Sequence, residues 1–120
     1  MTRAQPVIKP KRLKSLIRRL VDIYSPSGKE EEVVDFLYGY LKRRGLHPFY
    51  QEVDDSRCNL LVAPEDAEIE LALVGHVDTV VAYHFEDYGC EFENDTILGL
   101  GTADMKGGCA AMIEAYLALC

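Results

Sequence analysis

At 120 residues the chain is long enough for one domain with a modest core and too short for two. Its 48% hydrophobic and 28% charged residues are ordinary for a soluble globular protein, which sets aside a repeat or low-complexity architecture. The formal net charge is −7, yet residues 1–19 hold seven basic residues and no acid, so the remainder is strongly acidic; such a body argues against a nucleic-acid groove and suits a cation site.

Residues 1–9 read as a loose leader. Leu13, Leu16, Ile17, Leu20, Val21 and Tyr24 then fall at helical spacing, which predicts an amphipathic helix over 10–23 rather than a basic nucleic-acid arm. Ser25-Pro26-Ser27-Gly28 breaks it. Ser27 followed by Glu30 has the spacing of a capping box, predicting a second helix that runs to Arg44 and stops at Gly45. Its buried stripe should be Val33, Val34, Leu37 and Leu41, and Glu30–Glu32 are an acidic first turn favoured by the helix dipole.

From Leu46 the period changes to that of strands. Residues 49–53 predict a first strand, at an edge because of Pro48, 58–63 a second and 69–74 a third. A loop with Tyr83, His84, Phe85 and Tyr88 follows, then a small hairpin turning at Asn94-Asp95. Residues 105–120 predict a third helix, with Met112, Ile113, Tyr116 and Leu117 facing the core. Helices, strands and a helix in this order predict an α/β fold, a mixed sheet flanked by helices. No stretch approaches a membrane span and the start lacks a signal peptide's apolar centre, so a cytoplasmic protein with no membrane partner is expected. Cys58, Cys90, Cys109 and Cys120 lack C-x-x-C spacing and sit in or beside apolar segments, where a reduced thiol packs as a small hydrophobe.

The chemistry is concentrated at the end of the third predicted strand. Leu71 to Val74 is uncharged and reads as a strand buried on both faces; Gly75 ends it, and His76-Val77-Asp78 follows. Period-two alternation puts His76 and Asp78 on one side, at the strand end where open α/β sheets bind ligands. The pair can be a zinc-binding imidazole with its orienting carboxylate, or a core histidine satisfied by its neighbour. A second stretch, GLGTADMKGG at 99–108, carries Asp104 through a glycine-rich turn into the third helix. Asp104 stands where a dinucleotide fingerprint needs its third glycine, and Lys106 is misplaced for a phosphate loop, which argues against nucleotide binding. Asp104 is then either a metal ligand turned back toward the strand end or a helix-capping residue.

Taken together and in this order, SPSGKE (25–30), GHVDTV (75–80) and GLGTADMKGG (99–108) resemble the M20 family of zinc-dependent peptidases and deacylases, from about residue 13 to the end. The resemblance implies the N-terminal part of a three-layer αβα catalytic domain. His76 would be a terminal ligand of one zinc, Asp104 the carboxylate bridging two zincs, and Asp78 the catalytic acid that orients His76. The family also places a cis peptide after the bridging aspartate, here Asp104–Met105. Cobalt or manganese could substitute for zinc, and the substrate would be an N-acyl amino acid or small peptide.

Two departures accompany the resemblance. Leu100 stands where many relatives have a basic residue, and His84 matches no family ligand. The family's Glu-Glu pair, its remaining ligands, the lid and dimerisation domain and the C-terminal catalytic half have no counterpart here, because Glu114 is the only acid after Asp104. The expectation is a chain inactive by itself and prone to self-association. The alternatives are a binding module without catalysis, or a half-enzyme completed by a second chain.

Overall fold

The computed structural model describes residues 5–64, 66, 68–84 and 88–120; Phe85 of the aromatic loop and residues 1–4 of the leader lie outside them. Helix α1, Pro10–Asp22, starts with proline at its first position, where the missing N–H is not needed, and buries Leu16, Ile17, Leu20 and Val21. Helix α2, Glu31–Arg43, has acids in its first turn and bases in its last. It buries the expected Val33, Val34, Leu37 and Leu41 together with Tyr40, and Gly45 follows it at φ +83°.

The capping box does not form. Glu30 still reaches back, accepting from the Gly28 N–H at 2.6 Å, but α2 starts one turn later than Ser27 would place it. The Ser27 hydroxyl is instead engaged by a distant carboxylate, Asp78.

Four short strands form two antiparallel hairpins. β1 (Phe49–Glu52) pairs with β2 (Cys58–Leu61), and β3 (Glu91–Glu93) with β4 (Thr96–Leu98) around Asn94 at φ +54°. The class is mixed α/β, helices plus small antiparallel sheets. The strand expected at 69–74 is absent: these residues lie in no ladder, and Ile69, Leu71, Leu73 and Val74 are 64%, 79%, 46% and 82% exposed. A run apolar on both faces becomes a central strand only when strands flank it and helices cover it. Among the described residues the strands are consumed pairwise within the two hairpins, so that condition is unmet.

Helix α3, Gly107–Leu119, begins two residues later than expected, after a wide turn at Thr102–Lys106 whose Asp104 and Met105 depart from helical angles. Its deepest residues are Cys109, Ala110 and Glu114; Ile113 and Leu117 pack on the core as expected, whereas Met112 and Tyr116 are only half-buried. The core thus lies between α1, α2 and α3, with Cys58, Leu60, Val77 and Ile97 at its margin. A polar knot fastens it. Buried Glu114 accepts from the Tyr40 hydroxyl at 2.6 Å and from Arg12 Nε and Nη2 at 2.8 and 2.7 Å. Burial and this carboxylate push the Tyr40 phenol up to about 12. No described helix is long and apolar enough to cross a membrane.

Candidate functional site

Three segments distant in sequence meet beside α3. The 25–27 turn after α1 runs alongside residues 77–79: the Ser27 N–H donates to the Thr79 carbonyl at 3.1 Å, and the Thr79 N–H donates to the Ser25 carbonyl at 2.9 Å. Buried Ser25 adds a hydroxyl bond to the Val77 carbonyl at 2.7 Å. The glycine-rich turn packs on the same loop. Gly101 sits at φ +79°, and a Cβ there would stand 2.4 Å from Thr79 Cγ2, so both its conformation and this close approach require glycine. The turn closes through the Lys106 N–H donating to the Gly101 carbonyl at 2.8 Å.

This frame brings all three predicted site residues together. His76 Nδ1 lies 3.0 Å from Asp78 Oδ1 and 3.1 Å from the Asp78 carbonyl, and His76 Nε2 lies 2.9 Å from Asp104 Oδ1. The Asp104–Met105 peptide is cis. The other oxygen of Asp78 accepts from Ser27 Oγ. The His76 and Asp104 side chains are 47% and 85% exposed, so the pair lies at the surface.

The electrostatics follow from these contacts. Partial burial lowers the His76 pKa, but the hydrogen bond to Asp104, the Asp78 carbonyl and the charges of both carboxylates outweigh it and hold the imidazole above its usual value. The Ser27 hydroxyl, opposed by partial burial and joined by His76, holds Asp78 below the usual carboxylate range. Below the site Lys106 is buried, donating Nζ to the Ile23 carbonyl at 2.7 Å, and burial brings its pKa down to about 8. Cys109, whose thiol burial pushes up, donates Sγ to the His76 carbonyl at 3.1 Å.

An imidazole nitrogen and a carboxylate oxygen are the donor types that zinc takes; the 2.9 Å between them is the length of a charge-assisted hydrogen bond, whereas two donors on one tetrahedral ion stand roughly 3.3 Å apart. The set is incomplete: among the described residues no group of three or more His, Cys, Asp or Glu side chains is arranged to hold a metal ion. His84 takes no part in these contacts and stacks edge-on against Tyr83. Sequence reasoning missed Ser27, Lys106 and Cys109 as supports of the site. Ser27 was visible within SPSGKE, but its spacing to Glu30 pointed to a helix cap; a lysine and a cysteine beside glycines carry no signal of burial.

No family model matches the chain. Individual relatives do. The chain is 35% identical over 101 residues to a protein of Pyrococcus abyssi named as a LysW-lysine/LysW-ornithine hydrolase, matching 84% of this chain and 28% of the relative. It is 31% identical over 109 residues to a protein named as a succinyl-diaminopimelate desuccinylase of Staphylococcus epidermidis, 87% of this chain and 27% of the relative. An acetylornithine deacetylase of Aliivibrio fischeri is 35% identical over 88 residues, 70% and 23% of the respective chains. The chain therefore spans under a third of the length of these curated relatives.

Proposed function

Because the chain belongs to the M20-type hydrolases along the stretch it matches, we propose that it supplies part of the catalytic domain of a zinc-dependent amidohydrolase. The relatives' names point to substrates in which an amino acid carries an acyl or similar amide-linked group, and that is the substrate class assigned here: an N-acyl amino acid or small peptide. One observation carries the reading. The His76 ring is held between two carboxylates that arrive from separate loops, one on each ring nitrogen.

In this reading Asp78 takes the Nδ1–H of His76, so that Nε2, once it gives up the proton it directs at Asp104, is the nitrogen left for a metal. His76 and Asp104 would hold the zinc; cobalt or manganese could take its place. What a bound metal pair supplies is polarisation of the scissile carbonyl and acidification of water. The chain's own residues fix the direction of the imidazole, keep a negative charge beside it and turn the glycine-rich backbone so that Asp104 faces it. A general base and further ligands are needed for turnover, so the 120-residue chain is assigned no activity by itself. The compartment proposed for the protein is the cytoplasm.

Calorimetric titration with zinc is the test. Two protein donors should give weak binding that disappears in His76→Ala. Tight stoichiometric binding that survives this substitution would refute the ligand assignment. Turnover of N-acetyl amino acids by the metal-loaded chain would refute its inactivity. A second reading, a half-enzyme completed by another polypeptide, is favoured by the exposed apolar run at 69–74. Activity appearing only when a further chain is added would decide for it.

A further inference from the structure

The 25–27 turn supplies none of the proposed ligands, yet it is bonded directly to the 76–79 loop. Its backbone is bonded to Thr79 in both directions, and the buried Ser25 hydroxyl holds the Val77 carbonyl. These bonds fix the main chain on either side of Asp78. What remains free is rotation of the Asp78 carboxylate about its own axis, because the His76 ring engages only one of its oxygens. Ser27 Oγ donates to the other. A carboxylate held at both oxygens keeps its plane, and the imidazole bonded to it keeps its direction.

We propose that Ser27 is a positioning residue for His76: by holding the second oxygen of Asp78 it fixes the plane of the carboxylate that meets Nδ1, and with it the direction in which the ring presents Nε2. The consequence for metal rests on the assignment of His76 as a ligand; the effect on the ring does not. Ser27 is exposed and α2 starts without using it as a cap. Its replacement by alanine therefore leaves the three-helix core intact, while threonine retains the hydroxyl.

The test compares the 120-residue chain with Ser27→Ala and Ser27→Thr. The first readout is the ring ¹⁵N shifts of His76 without metal, which report the hydrogen bond that each ring nitrogen makes. The second is the zinc dissociation constant, with thermal melting as a control for folding. The expected result is a displaced Nδ1 shift and roughly 3–10-fold weaker zinc binding in Ser27→Ala, with Ser27→Thr like the parent and all three melting together; partners beyond the ligands typically carry about 10–100-fold in metal affinity. An unchanged Nδ1 shift in Ser27→Ala overturns the proposal, as does a threonine variant that behaves like alanine. If the parent binds no zinc, the ligand assignment fails and the ¹⁵N readout alone still decides on Ser27.

Discussion

Removing the Glu114 carboxylate should loosen the attachment of the helix that follows Asp104. Glu114 is 1% exposed and lies at the meeting of all three helices, accepting from Tyr40 and twice from Arg12. In Glu114→Ala the buried Tyr40 hydroxyl loses this acceptor, which costs about 1–3 kcal/mol for an unsatisfied group, and the truncated side chain leaves a void. Breaking a fully buried ion pair from one side costs about 3–5 kcal/mol. Arg12 is 26% exposed and can turn to water, so the lower end applies, about 3 kcal/mol. Glu114→Gln keeps the shape and one acceptor oxygen, and should lose about half as much. For a domain of this size 3 kcal/mol corresponds to a fall in Tm of roughly 10–15 °C. Urea unfolding followed by far-UV circular dichroism measures the loss, and adding Tyr40→Phe to each variant isolates the coupling. A loss below about 1 kcal/mol in Glu114→Ala, or strict additivity with Tyr40→Phe, would refute the buried knot as a fastening of α3.

Three further outcomes are expected. Gly101→Ala should cost about 2–3 kcal/mol, since alanine is strained at φ +79° and its Cβ meets Thr79; a variant as stable as the parent and binding zinc equally well would contradict the close packing of the two site loops. The raised His76 pKa means that its pairing with the carboxylates is fully present below the unfolded value near 6.5 and is lost as pH rises through the folded value. Zinc competes for the deprotonated ring, so its affinity should climb with pH across that same interval; calorimetry giving a flat profile from about pH 6 to 9 would count against His76 as the ligand. The exposed apolar residues of 69–74 should make the chain self-associate, each side chain offering about 1.5–3 kcal/mol on full burial before the costs of association. Light scattering over a dilution series, with Leu71→Lys as the disrupting variant, tests this. A monomer at high concentration would overturn it.

The helices were legible in the sequence because their signals are local. Leu16, Ile17, Leu20 and Val21 recur at helical spacing, Pro10 and Gly45 mark ends, and neither depends on what lies across the fold. The hairpin turn at Asn94 was legible for the same reason. His76, Asp78 and Asp104 could be singled out because three short motifs in fixed order resemble those of a known family; H-x-D by itself left a metal pair and a core histidine both open. Tertiary structure decided the rest. Whether 69–74 is a buried strand depends on neighbours that pair with it and cover it, and its own apolar residues cannot supply them. Ser27 could cap a helix or hold Asp78; the choice turned on where the 77–79 loop passes, some fifty residues away in the chain. Lys106 and Glu114 look in sequence like solvent-facing charges on a helix. They are buried because Ile23 offers Lys106 a carbonyl, and Arg12 and Tyr40 offer Glu114 their donors, from other helices and turns. A charge's burial is set by partners distant in sequence, and no local pattern records them.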